Sequence, residues 1–240
     1  MIINIGIAGL SVGSAILNTV VRSGGPKNIK IADYDNLEVT NLNRIHAGLL
    51  DIGLNKTEIA ARNCYEIDPF CNLKMYIKGL NANNLSAFIL SQPRLNVFID
   101  AMDNFKLKIQ ARKICKKSRI PVLMATDNGN GVMLDIERFD TEPSRPPFHG
   151  RLKQRDLLAA NKPNFKDWLD LAIKVIGKEN FSAGISRSLP LLGKTISSIP
   201  QLGLAANLAG SFTTFALLKL ANHEPLPSGR YHVNLDKIID

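Results

Sequence analysis

Cysteine is scarce in this chain. Three residues, Cys64, Cys71 and Cys115, are odd in number and include no CxxC pair. Such usage points to reduced thiols and not to a disulfide framework, and no zinc site is expected without paired cysteines. Long apolar runs are absent too, none reaching the about 18 residues that a membrane span requires. The opening MIINIGIAGL lacks the basic stretch and small-residue cleavage site of a signal peptide. A cytoplasmic chain without membrane contact is the expectation. Composition is otherwise ordinary: 45% hydrophobic and 21% charged over 240 residues suit one large globular domain or two small ones.

Charge is of one sign in excess, with a formal net charge of +9. Much of it lies in Lys106, Lys108, Arg112, Lys113, Lys116, Lys117 and Arg119. Leu107, Ala111, Ile114 and Cys115 recur at helical spacing through that stretch, so one face is expected to meet the core and the basic residues to form a solvated face. No aromatic residue is interleaved with these charges, so a nucleic-acid surface is not expected.

The first hundred residues alternate strand and helix. Ile2 to Ala8 reads as a short buried strand, Leu10 to Ser23 as an apolar helix stopped at Gly24-Gly25-Pro26, and Asn28 to Ala32 as the next strand. Lys56 to Glu66 reads as helix, Leu73 to Ile77 as strand, Asn84 to Leu90 as short helix and Val97 to Ile99 as a third core strand. The basic helix and a strand from Pro121 to Ala125 follow. This order predicts an α/β fold with a Rossmann-like, mostly parallel sheet flanked by helices. From Gly131 the apolar residues Val132, Leu134 and Ile136 alternate with Met133, Asp135 and Glu137, as in an exposed edge strand. The Pro-rich stretch Glu142 to Pro147 cannot be helix interior or central strand. A boundary near residue 140 is therefore expected between an α/β domain, 1–140, and a mainly helical extension, 141–240, that packs on it. In the extension, Phe165, Trp168, Leu169, Ala172, Ile173 and Ile176 mark an amphipathic helix. Leu202 to Leu220 reads as a buried or interface helix, and Tyr231 to Leu235 as a terminal strand.

The turn after the first strand places Gly6, Ala8, Gly9 and Ser11 in a GxGxxG-like frame, with Ala8 and Ser11 at the second and third glycine positions. Small residues there let the backbone approach a phosphate at a helix N-terminus. Asp33 ends the second strand 20 residues after Gly13, where a carboxylate can take ribose hydroxyls. Asn41 and Arg44 are three apart and share one face, and Lys56 opens the next helix. Cations aimed from two segments at one glycine-rich turn suit a triphosphate. Asp100 and Asp103 stand at the carboxyl end of a parallel strand, where ligands bind in open α/β sheets. Asp103 fits a magnesium carboxylate, since that ion takes one or two carboxylates beside phosphate oxygens and water.

In order along the chain stand Asp33-x-Asp35, Thr40-Asn41-Leu42-Asn43-Arg44, Gly53-x-x-Lys56 and Asp100-x-x-Asp103-Asn104. Together with the glycine-rich turn, these resemble the motifs of the ThiF/MoeB/E1 adenylating family. Further stretches, Leu123 to Asp127, Leu134 to Asp140, Pro146 to Gly150 and Glu224 to Arg230, resemble a ThiF-type subgroup often joined to a nitroreductase-like flavin domain. The resemblance implies ATP-dependent adenylation of a carboxylate, such as the C-terminus of a ubiquitin-like sulfur-carrier protein, by a homodimer using ATP and Mg2+. By position it implies that Asp33 holds the ribose, that Asn41, Arg44 and Lys56 contact phosphates, and that Asp103 binds magnesium. Gly6, Ala8, Gly9, Ser11, Asp35 and Asn104 complete the implied nucleotide site, with Arg44, Lys56 and Asp103 as its catalytic set. The pattern departs from the family where the glutamine after the arginine is Ile45, where CxxC motifs are missing, and where Arg22 or another chain's arginine would replace an N-terminal one. Two other classes fit parts of the pattern: a NAD- or FAD-binding module, on the glycine-rich turn and Asp33, and an adenylating-type scaffold that binds without catalysis.

Overall fold

The computed structural model describes residues 3–160, 165–196 and 199–239. Five short strands run parallel: β1 (Asn4–Ala8), β2 (Asn28–Ala32), β3 (Asn72–Tyr76), β4 (Val97–Asp100) and β5 (Val122–Asp127). Two more, β6 (Gly131–Glu137) and β7 (Gly229–Asn234), add antiparallel beyond β5. The spatial order is β3-β2-β1-β4-β5-β6-β7, an α/β sheet that is mostly parallel. The expected opening residue of the first strand, Ile2, lies outside the described residues.

Helices cover both faces. Alternate residues of the central strands, Ile5, Ile7, Ile29, Ile31, Val97 and Ile99, pack with α1 (Val12–Arg22), α2 (Lys56–Ile67) and α8 (Gly203–Ala221). The other parity, Ala8, Ala32 and Phe98, faces α3 (Leu85–Leu90) and α4 (Phe105–Lys117). Gly6 belongs to that second face: a Cβ there would lie 2.4 Å from Leu95 Cδ1 and 2.8 Å from Phe88 Cε1. Its role is to let α3 sit close on the sheet.

Beyond β6 the chain builds α5 (Gln154–Ala159), α6 (Phe165–Ile176), α7 (Ala183–Ser188), then α8, β7 and a last turn, α9 (Asp236–Ile239). The side chain of Phe165, expected on the apolar face of α6, lies outside the described residues. Leu171, Ala172 and Val175 of α6 pack with Phe105 and Met124. Among the described residues α8 is the one helix long and apolar enough to cross a membrane. It lies against α1, β5 and β6, burying Ala205, Ala209, Thr213 and Leu217.

Two expectations are corrected. β6 is no exposed edge: β7 covers its outer side, and every residue of β6 is buried. Its alternation is real, with Val132, Leu134 and Ile136 in the α1–α8 core, but the polar parity also faces protein. Asp135 and Glu137 are fully buried. The basic helix α4 likewise does not turn all its cations to water. Lys106, Lys113 and Lys117 are exposed, whereas Lys108 and Arg112 are buried. Lys108 Nζ donates to Asp100 Oδ1 at 3.0 Å, and Arg112 donates to Asp100 Oδ2 at 2.5 Å and Glu137 Oε2 at 2.6 Å. A charged residue enters a core only when paired, and here the pairs come from strands distant in sequence.

Candidate functional site

Four parallel strands end at one side of a cavity of about 1220 Å3. Its floor is the turn after β1. Gly9 has φ +90°, and a Cβ there would lie 2.2 Å from the Ala101 carbonyl oxygen, so only glycine lets the β1 and β4 loops approach this closely. Asp33, at the end of β2, holds the turn from below: its Oδ2 accepts from Leu10 N at 2.6 Å and its Oδ1 from Asp35 N at 2.9 Å. Burial raises the Asp33 carboxyl pKa, and those two backbone bonds and Lys56 oppose the rise. Ser11 is the N-cap of α1, yet its side chain makes no capping bond and no acidic residue occupies the first turn. The first N–H groups of α1 thus face the cavity uncapped, an anion-binding arrangement.

The segment between β2 and α2 supplies the cations. Arg44 Nε donates to Ser11 Oγ at 2.8 Å, and one terminal nitrogen donates to Thr40 O at 3.1 Å and Asn43 Oδ1 at 3.0 Å. The guanidinium is thereby braced across the α1 N-terminus. Asn41 is buried, its Oδ1 accepting from Glu38 N at 3.1 Å, so it shapes the turn that carries Arg44. Lys56 opens α2 beneath an Asn55 cap and reaches Asp35 Oδ2 at 3.0 Å.

The loop after β4 forms the opposite wall. Asp100 is withdrawn into its ion pairs with Lys108 and Arg112. Burial would raise its carboxyl pKa, and those two cations more than reverse the effect. Asp103 instead opens on the cavity and makes no ion pair among the described residues. Protein packed around it limits its hydration and raises its pKa, with Asp100 and Asp35 reinforcing and Lys108 and Lys56 opposing. Asn104 caps α4, its Oδ1 accepting from Leu107 N at 3.1 Å.

Gly9, Ser11, Asp33, Asp35, Asn41, Arg44, Lys56, Asp103 and Asn104 all line this one cavity, whereas Gly6 and Ala8 lie within β1 and do not. Most of the lining lay outside the sequence candidates, and three of those residues bear on the site. Trp168 of α6 donates from Nε1 to Asp103 O at 2.9 Å. Gln201 touches the turn through Ser11 Oγ at 3.4 Å, and its carbonyl accepts from Asn43 Nδ2 at 2.7 Å. Asp127 ends β5, and among the described residues neither of its carboxyl oxygens has a hydrogen-bond partner. Burial pushes this carboxyl up to about 7, against Arg44 and with Asp103. Only Asp127 carried a signal in the sequence, as an acid at the carboxyl end of a strand. Trp168 and Gln201 arrive by long-range folding.

No three His, Cys, Asp or Glu side chains among the described residues could hold a metal by themselves. The cavity can nevertheless accept a polyanion at the α1 N-terminus, between Arg44 and Lys56, with the Asp103 carboxylate facing it.

A family model described as the ThiF family matches residues 3–227. The chain is 32% identical over 238 residues to an uncharacterized protein of Mycobacterium tuberculosis, covering 99% of this chain and 33% of that protein. It is 25% identical over 230 residues to tRNA threonylcarbamoyladenosine dehydratase 2 of Saccharomyces cerevisiae, covering 90% of this chain and 51% of that one. The chain thus spans between a third and about half the length of these relatives. Among solved structures, Escherichia coli MccB with ATP superposes with a TM-score of 0.62 at 16% identity, over 97% of this chain and 64% of MccB. At that identity the likeness is one of fold.

Proposed function

This chain belongs to the ThiF family, and on that premise we propose that it adenylates a carboxylate with ATP. One observation carries the reading: Arg44 of the β2–α2 segment, Lys56 at the start of α2 and Asp103 of the loop after β4 converge with the uncapped N-terminus of α1 on a single cavity. The N–H groups of α1 and the Arg44 guanidinium suit the phosphates, and an acidic residue at the end of β2, Asp33, suits the ribose hydroxyls. MccB, which shares the fold, has been crystallised with ATP.

In the proposed reaction an acceptor carboxylate oxygen attacks the α-phosphorus of ATP. The bond from that phosphorus to the oxygen bridging to the β-phosphate breaks, releasing pyrophosphate and leaving an acyl-adenylate. The acceptor is ionised at neutral pH, so no general base is required. The chain's part is positioning and charge stabilisation. Arg44, braced by Ser11 and Thr40, and Lys56 balance charge that moves toward the leaving group. Asp103, free of ion pairs among the described residues, would hold Mg2+. The ion, when bound, neutralises phosphate oxygens.

A ubiquitin-like or sulfur-carrier C-terminus as acceptor, a homodimer, and association with a flavin domain are finer parts of this reading. The Mycobacterium relative, of which the chain covers 33%, has room for further domains. A nicotinamide module is disfavoured, because hydride transfer gives Asp103 no task.

Calorimetry with ATP and Mg2+, beside NADH and beside Asp103→Ala, tests the proposal, with ATP–pyrophosphate exchange as the catalytic readout. Magnesium-dependent ATP binding that is lost in a folded Asp103→Ala variant is expected. Binding of NADH alone, or of neither nucleotide, overturns it, and ATP binding without exchange against any carboxylate leaves a scaffold.

A further inference from the structure

The cavity exceeds the needs of one ligand. Small-molecule pockets are about 300–1,000 Å3, and this one is about 1220 Å3. Its lining also changes character along its length. The end described above is polar, whereas the far wall is made by Leu169, Ala172 and Ile173 of α6, with Phe181 and with Ile185 of α7. A nucleotide at the α1 N-terminus leaves that apolar chamber open.

Asp127 sits at the seam. It ends β5, next to the backbone of Asn128, whose side chain is tied to Ser182 N at 3.2 Å and to the Asn180 carbonyl. The strand end is therefore clamped to the segment leading into α7. Both Asp127 oxygens are shielded from water and neither accepts a hydrogen bond from the described residues. Buried polar side chains are nearly always bonded, and the other carboxylates here have tasks. Asp33 holds the turn, Asp35 pairs with Lys56, and Asp103 is assigned to magnesium. An acceptor group with a buried seat and no partner among the described residues is suited to a donor that arrives with a ligand.

Resting on the adenylation reading, we propose that Asp127 selects the acceptor by taking a hydrogen bond from an N–H carried beside the acceptor's carboxylate, while the α6–α7 wall takes an apolar side chain of the same residue. The chemistry is that of an apolar amino acid, either free or as the last residue of a peptide. The charged groups acting on Asp127 are Arg44, from the segment before α2, and Asp103, from the loop after β4. Burial dominates and holds the carboxyl up to about 7. An N–H donor favours the ionised form, so acceptor binding strengthens as pH rises through that value and expels a proton from Asp127.

The experiment measures ATP–pyrophosphate exchange with three probes on the full chain: leucine, N-acetylleucine and 4-methylpentanoate, the last retaining the apolar chain and carboxylate without nitrogen. Exchange with leucine identifies a free amino acid as acceptor, and exchange with N-acetylleucine a peptide end. Either is expected to show a KM about ten-fold below that of 4-methylpentanoate, the effect of one hydrogen bond to a charged group. Asp127→Asn is expected to abolish the rise in affinity between pH 6 and 8, a readout that a merely structural residue would not move. Equal KM for all three probes, exchange with none of them, or an unchanged pH profile in Asp127→Asn overturns the assignment. ATP affinity, measured by calorimetry in the same samples, separates the two levels. ATP binding with no preference for N–H probes refutes Asp127 alone, whereas absent ATP binding refutes the adenylation reading and this inference with it.

Discussion

Arg112 of α4 and Glu137 of β6 form an ion pair wholly removed from solvent, Nε to Oε2 2.6 Å apart. The same guanidinium reaches Asp100 at the end of β4 and stacks 3.8 Å from the centre of the Phe148 ring. The Phe148 N–H in turn donates to Glu137 Oε1 at 2.7 Å. One side chain thus fastens a helix, two strands and the loop after β6. Lys108, which shares Asp100 with it, lines the cavity.

Arg112→Met should therefore be costly out of proportion to its size. It leaves Glu137 buried without its main counter-charge and Asp100 with Lys108 alone, and breaking a buried pair costs about 3–5 kcal/mol. Urea denaturation should show a correspondingly lower midpoint. A loss under about 1 kcal/mol would mean that water or rearrangement compensates the two carboxylates.

Gly9→Ala should destabilise more than Gly24→Ala. Both positions have positive φ, at +90° and +67°, but a Cβ at Gly24 meets nothing within 4 Å while at Gly9 it meets the Ala101 carbonyl at 2.2 Å. The φ penalty alone is of order 1 kcal/mol, so the excess at Gly9 measures the close approach of two loops. Thermal melts of both variants, with ATP affinity of Gly9→Ala alongside, check this. Equal melting temperatures would contradict it.

Trp168 is the only tryptophan, it lines the cavity, and its Nε1 is bonded to the Asp103 carbonyl. Its fluorescence should change in intensity or wavelength when ATP and Mg2+ bind, and Trp168→Phe should weaken ATP binding several-fold, about the worth of one hydrogen bond. A fluorescence titration without any change at saturating ATP would place the nucleotide away from this wall.

Asp127 should make the protein less stable as pH rises. Its carboxyl is pushed from an ordinary 3.8 to about 7 in the folded state. Between those values the unfolded chain releases a proton that the folded chain keeps, so stability falls with rising pH and levels off above about 7. Asp127→Asn cannot ionise and should lack that part of the slope. At pH 8 it should be more stable than the parent by on the order of a few kcal/mol, at about 1.4 kcal/mol per pKa unit. Urea midpoints at pH 4.5, 6 and 8 are the check, and a parallel dependence in both proteins would refute it.

Much of this molecule is legible before folding. Asn28 to Ala32 is a strand in both readings, and the α/β order follows from short apolar runs alternating with helical spacing. These are local properties, set by periodicity and by Gly and Pro stops. The nine cavity-lining candidates are legible for a related reason. Gly9, Ser11, Asp33, Asp35, Asp103 and Asn104 sit just past strand ends, and in a parallel sheet all such ends lie on one side, while Asn41, Arg44 and Lys56 follow Asp33 at motif spacing in the β2–α2 stretch. Gly6 and Ala8 share the turn's motif yet stay inside β1, because the chain leaves the sheet only at Gly9.

The alternation in β6 and the basic run in α4 are also real in the sequence, but neither tells what faces the polar parity. Asp135 and Glu137 read as solvent-facing until His149, Arg230 of β7, Arg112 of α4 and the Phe148 N–H meet them on that face, and Arg112 reads as surface until Asp100 and Glu137 meet it.

The sequence by itself determined the strand-and-helix order, the family and the set of residues gathered at the strand ends, since each depends on spacing along the chain. Tertiary structure alone decided which charges are buried, that Trp168 meets the Asp103 loop and Gln201 the turn after β1, and that the Asp127 carboxyl has no partner among the described residues. Burial and pairing are set by neighbours remote in sequence, and no local pattern encodes a neighbour's position.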